Sequence, residues 1–154
     1  MAELLETYVS SPDREVLNTR IVKGTREQVF KAWSNPDNLK RWWGPKGFTN
    51  TFNEFNFHPG GKWSFIMHGP DKKDYPNESV FVKIEEPGLV VLNHISQPKF
   101  QIEATFEKIS EDETKVYFRM IFKTPEECNN LKGFVTDKNE ENLDRLEVVL
   151  KDLQ

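Results

Sequence analysis

The sequence predicts an α+β fold. A curved seven-stranded antiparallel sheet wraps around a long C-terminal helix, and two short helices follow the first strand. Three observations carry this expectation. The apolar period changes from two to helical and back again along the chain. Residues 48–123 hold six runs of alternating apolar residues joined by short turns, which implies antiparallel neighbours. Residues 125–154 return to helical spacing, with Leu143, Leu146, Val149 or Leu150, and Leu153 on one stripe.

Each element has its own signal. Residues 1–12 are short and polar toward their end, and are read as a flexible leader; residues 13–154 form a single domain. Residues 14–24 read as a strand ending at Gly24. Thr25 with Gln28 three residues on is a capping box, and Val29, Ala32 and Trp33 share a helical face behind it. Asn35-Pro36 stops that helix and starts a shorter one, which runs through Trp42-Trp43 to the Gly44-Pro45 break. Trp63, Phe65 and Met67 alternate with polar or opposite-facing residues. So do Val80, Val82 and Ile84, then Phe100, Ile102, Ala104 and Phe106, then Val116, Phe118, Met120 and Phe122. All of these are expected to face inward. The run at 89–95 is apolar on both faces, so the side on which His94 falls is left open, as are the faces of 48–57. In the last helix Leu131, Phe134 and Val135 form an earlier stripe. Lys138 and Asn139 interrupt it, and Gly133 is a possible bend or break.

Composition narrows the function classes. The 154 residues carry 21 Lys and Arg against 25 Asp and Glu, a formal net charge of -4. That balance argues against a nucleic-acid footprint, which needs a clustered basic face. No stretch approaches the roughly 18 apolar residues of a membrane helix. Cys128 stands alone, so no disulfide or cysteine-based zinc site forms within the chain. The start lacks the basic and apolar segments of a signal peptide, and a cytoplasmic protein is expected. Aromatic residues reach 12%, with 12 Phe among them, enough rings to fill a core and line a pocket.

Three segments together carry a resemblance: "VFKAWSNPDNLKRWWGP", "FNFHPGGKWSFIMHGPDKKDYPNESVF" and "NLDRLEVVL". They resemble the START-like helix-grip superfamily (SRPBCC). Within it they are most similar to the AHSA-type domains, named after the activator of the heat-shock-protein-90 ATPase. The resemblance covers residues 14–153. It implies a cavity between the sheet and the C-terminal helix, where superfamily relatives hold hydrophobic molecules. It also implies that some relatives are cyclases or hydrolases, and that the namesake stimulates a chaperone. Members commonly carry Gly-Trp where Lys138-Asn139 stand here, which implies a cavity of different shape or polarity. The length leaves no room for the namesake's separate N-terminal domain, which weighs against the chaperone role.

The leading expectation is therefore binding of a small hydrophobic or aromatic molecule. Trp63, Phe65, Met67, Val82, Phe106, Phe118 and Met120 are the expected walls. Trp43, Phe134 and Leu143 are expected to close the cavity, and His94 or Asn139 to orient the ligand. An enzyme acting on such a molecule is the alternative, with Glu54 and His94 as acid–base candidates, although no catalytic constellation is recognisable. A chaperone-interacting module comes third. No cofactor is called for, and His58, His68 and His94 lack metal-ligand spacing. The adjacent Trp42 and Trp43 point in different directions on a helix, so one can enter the core while the other meets the pocket rim.

Overall fold

The computed structural model describes residues 2–154. A short 3₁₀ turn (Ala2–Leu5) precedes β1 (Glu15–Lys23). Two helices follow, α1 (Arg26–Ser34) and α2 (Pro36–Trp42). Then come β2 (Thr49–Phe55), β3 (Lys62–His68), β4 (Asp74–Glu85), β5 (Leu89–His94), β6 (Phe100–Ser110) and β7 (Glu113–Ile121), and finally α3 (Pro125–Asp152). The strands form one seven-stranded sheet in the order β1-β7-β6-β5-β4-β3-β2, with every neighbouring pair antiparallel. The α+β helix-grip fold expected from the sequence is the one observed.

Local chemistry explains the boundaries. The Thr25 hydroxyl accepts from the Gln28 N–H at 3.1 Å, and the Gln28 side chain accepts from the Thr25 N–H at 2.8 Å, closing the capping box of α1. Asn35 ends α1 and caps α2 by accepting from the Asp37 N–H at 2.9 Å, with Pro36 in the first turn. Thr124 caps α3 in the same way toward Glu127. Helix α3 runs unbroken through Gly133, which faces open space.

The concave face of the sheet meets α1, α2 and α3. Trp33, Trp42, Trp63, Phe81, Phe106 and Leu143 are fully buried there. Each such side chain contributes on the order of 1.5–3 kcal/mol on leaving water. Trp33 packs edge-on against Trp42 (5.2 Å) and stacks on Phe118 (6.3 Å). Arg20 clamps β1 to α3 through ion pairs with Glu140, Asp144 and Glu147.

Two strands depart from simple alternation. Between β4 and β5 the pairing passes from Phe81–Leu92 to Lys83–Val91, so Val82 is the extra residue of a β-bulge. The bulge reverses the faces. Asn77, Ser79 and Phe81 point inward before it and Ile84 after it. The expectation that Val80 and Val82 face the interior is therefore corrected. Val80 is buried in the row formed with Asn93 and Gln101 on the opposite face, and Val82 is half-buried outside the core. A second bulge between Phe52 and Glu54 lets Phe52 and Phe55 both pack on Trp63.

The segment read as a flexible leader is bonded to that opposite face. Asn93 donates to the carbonyls of Leu4 and Glu6 (2.9 Å each), Gln101 donates to Glu6, and Tyr8 is buried. The polar Asn93 and Gln101, exposed by simple alternation, are covered by residues from the start of the chain.

Candidate functional site

The site is built around the turn Trp42-Trp43-Gly44-Pro45. Trp42 goes wholly into the core, and its indole N–H donates to the Ala32 carbonyl at 2.9 Å. Trp43, the cap of α2, turns toward the sheet and lies edge-on to Trp63 at 5.0 Å. Gly44 has φ +97°, a left-handed value that favours glycine, and a Cβ there would lie 2.6 Å from the Met67 methyl.

Helix α3 holds this turn with two residues three apart. Asn142 accepts from the Gly44 N–H at 2.6 Å. Arg145 donates to the carbonyls of Arg41, Trp43, Gly44, Pro45 and Phe48 at 2.8–3.2 Å. These carbonyls include the free ones at the end of α2, which attract a cation. Burial pulls the pKa of Arg145 down, yet its ordinary value is so high that it stays charged.

Between this turn, the sheet and α3 lies a cavity of about 150 Å³. Trp43, Gly44 and Pro45 form one wall, and Phe65, Met67, Phe118 and Met120 rise from the sheet. Leu92, Phe100 and Ile102 complete the apolar floor. Asn77, Ser79 and His94 bring polar atoms from the sheet, and Lys138, Asn139 and Asn142 bring them from α3. An apolar recess of about 230 Å³ adjoins it and shares Pro45, Phe100, Met120, Lys138 and Asn139. Phe134, 66% exposed, stands on the rim of that recess.

His94 lies in the cavity wall and is buried. Its Nδ1 is 2.7 Å from the Pro98 carbonyl, and its Nε2 is 2.7 Å from Asn77 Oδ1 and 3.3 Å from the Ser96 hydroxyl. The ring stacks on Phe100 with centroids 4.5 Å apart. Burial pushes its pKa below the ordinary value. Asn139 donates to Asn18 at 3.3 Å. Asn142 is 7% exposed, and its Nδ2 is buried without a hydrogen-bond partner.

Of the residues expected at the site, the structure brings together Trp43, Phe65, Met67, His94, Phe118, Met120 and Asn139. Trp63, Phe106 and Leu143 are corrected to packed core: they are fully buried but do not line the cavity. Trp63 stacks on Phe65 at 4.4 Å, and Phe106 lies against Trp33. Val82 is displaced by its bulge, and Phe134 marks the outer recess rather than the inner wall. Sequence reasoning missed Asn77, Ser79 and Asn142. The first two were hidden by the bulge. Asn142 had a readable signal, since it lies three residues after Asn139 on the face that buries Leu143 and Leu146.

Other chemistry lies elsewhere. Glu54 is exposed and accepts from Asn56 at 2.8 Å, outside the cavity. A hydroxyl–imidazole–carboxylate chain joins Thr51, His68 and Asp74 with 2.7 Å links on the outer face of the sheet, where it lines none of the cavities described. Cys128 is buried at the start of α3 beside an open surface groove, and burial raises its thiol pKa. Among the described residues no three His, Cys, Asp or Glu side chains converge as metal ligands. No helix among the described residues is long and apolar enough to cross a membrane.

Comparison with known proteins agrees with this fold. Residues 23–151 match the family model described as "Activator of Hsp90 ATPase homolog 1-like protein". No curated protein matches the chain. Among solved structures, a protein from Nitrosomonas europaea is similar with a TM-score of 0.85 at 16% identity, over 93% of this chain and 97% of that one. A protein from Arthrobacter aurescens aligns with a TM-score of 0.84 at 19% identity, over 97% of this chain and 92% of that one. An AHSA1-like protein from Aeromonas hydrophila aligns with a TM-score of 0.70 at 17% identity, over 90% of this chain and 93% of that one. At these identities the likeness is one of fold.

Proposed function

The chain belongs to the family of Activator of Hsp90 ATPase homolog 1-like proteins, and on that premise we propose that it binds a small hydrophobic or aromatic molecule between the sheet and α3. One observation carries this reading: the cavity of about 150 Å³ whose floor is aromatic and aliphatic and whose polar groups are few and fixed. An apolar cavity of about 150 Å³ takes up a benzene-sized molecule. The adjoining recess offers a path outward past Phe134 and Leu131. The expected setting is the cytoplasm, supported by the unpaired Cys128.

Binding rests on apolar burial at about 25 cal/mol per Å². Trp43, Phe65, Phe118 and Met120 supply the contact surface. The turn that presents Trp43 is locked by Asn142 and Arg145, so the wall is formed before a ligand arrives. A catalytic reading gains nothing from Glu54, which is outside the cavity. His94 is held by neighbours on both ring nitrogens.

Native mass spectrometry on gently purified protein tests the proposal. An additional mass, released on denaturation and identified as an apolar small molecule, supports it. A bare mass, with toluene-sized compounds failing to bind when added, contradicts it. Weight then moves to a chaperone-directed role, tested by capture of the chaperone on the purified chain.

A further inference from the structure

Charge is distributed unevenly around the inner cavity and the outer recess. Among the described residues, Lys138 is the one Lys, Arg, Asp or Glu that lines either chamber, and it lines both. The other lining side chains are apolar, amide or hydroxyl, apart from His94, whose charged form burial disfavours. The only fixed charge is therefore positive, and it stands where the two chambers meet.

Lys138 interrupts the apolar stripe of α3 between Val135 and Leu143. Its ammonium lies 5.5 Å from the centre of the Phe134 ring, and its side chain is 40% exposed. A lysine so placed lays its stem on apolar surface and keeps its head at the mouth. The carboxylate beside it belongs to Glu141, whose oxygen is 3.8 Å from the ammonium, a separation too long for a hydrogen bond. Glu141 is engaged elsewhere, since its other oxygen accepts from the Lys46 N–H at 2.9 Å. An ammonium carries three donors. Those of Lys138 are left to whatever occupies the junction.

An anion pushed to the depth of the inner cavity would lose water and meet no opposite charge. At the junction it meets Lys138. Resting on the binding reading above, we propose that the ligand is a small monoanion with a single-ring apolar body, its carboxylate held by Lys138 and its ring against Trp43, Phe65 and Phe118. Arylalkanoic acids are the class that fits. The ring suits a cavity of about 150 Å³, and a short arm returns the carboxylate to the rim.

Three compounds of similar shape separate the charge from the body: 3-phenylpropanoate, 3-phenylpropanamide and 3-phenylpropylammonium. Toluene represents the body alone. Affinities for the full chain are measured by calorimetry or ligand-observed NMR at low and at high salt. The net charge of -4 attracts the ammonium compound at a distance, so a preference for the anion reports a local group. The expected result is that the propanoate binds about fivefold tighter than the amide, as an ion pair at a partly exposed rim produces. Salt shrinks that ratio. In Lys138→Met, which keeps an apolar stem, the ratio falls toward one. Lys138→Arg retains it, and so does Lys132→Met, which removes a charge on the same helix outside both chambers.

Equal affinity for the three compounds, or a ratio unchanged in Lys138→Met, overturns the proposal and leaves apolar binding standing. Tightest binding of the ammonium compound overturns it too, with Glu141 then governing the mouth. If toluene binds and none of the three does, the proposal falls alone. If toluene also fails, the binding reading falls and takes the proposal with it.

Discussion

The guanidinium of Arg145 donates to the Gly44 carbonyl at 2.8 Å, and the same group reaches four further carbonyls of the segment from Arg41 to Phe48. A single α3 side chain therefore fixes the turn that carries Trp43 into the cavity wall. No carboxylate takes part in these bonds. The positive charge is matched by peptide dipoles, including those at the end of α2. Replacing Arg145 with Met removes every donor while keeping the apolar stem. Stability is expected to fall by about 3 kcal/mol, read as a lower urea midpoint. Arg145→Lys is expected to recover only part of the loss, because an ammonium lacks the planar fork.

Gly44 is the second support of the wall. Gly44→Ala places a side chain at φ +97° and against the Met67 methyl. The expected cost is about 1–3 kcal/mol, accompanied by a shift of the Met67 methyl resonance. A variant as stable as wild type, with that resonance unmoved, would show that the turn is not built as described.

Core and rim separate cleanly at two residues that the sequence placed together. Leu143→Ala opens a hole in packed core and is expected to cost about 3 kcal/mol. Phe134→Ser changes an exposed side chain and is expected to alter stability by no more than about 0.5 kcal/mol. Thermal or urea unfolding of the two variants side by side checks the contrast.

His94 gives stability a pH dependence of defined sign. Burial lowers its folded pKa below the ordinary 6.5, so the unfolded chain takes up the proton first as pH falls. Its contribution is complete above pH 6.5 and is lost as pH drops from there toward the folded value. The difference in unfolding free energy between wild type and His94→Gln should therefore shrink on going from about pH 8 to about pH 5. A difference that is flat or grows toward acid would contradict a folded-state pKa lowered by burial.

Much of the fold was readable because its signals are local. The Thr25–Gln28 box, Asn35-Pro36 and the alternation of β6 and β7 depend on neighbours in sequence, and each predicted its element. The site was less readable because it depends on where alternation fails. One extra residue, Val82, turns Asn77 and Ser79 into the cavity and Val80 out of it, and no local residue type announces that bulge. Trp63 and Phe106 follow the inward pattern correctly. Whether an inward ring meets a void or another ring is set by partners such as Trp33 and Trp43, which come from α1 and the end of α2. Asn139 was found because it breaks an apolar stripe, and the same argument carried one turn further reaches Asn142. His94 could not be assigned a face from a run apolar on both sides. Its pairing with Phe100 across β5 and β6 assigns it.

The central claim is that the interior beside Trp43 receives a small apolar molecule. The chain has three methionines, and two of them, Met67 and Met120, line the cavity. Methyl NMR of ¹³C-methionine-labelled protein titrated with toluene tests the claim most directly. The account predicts that the Met67 and Met120 signals shift together and saturate. Met67 and Met120 signals that do not move, or that drift without saturating, would contradict it.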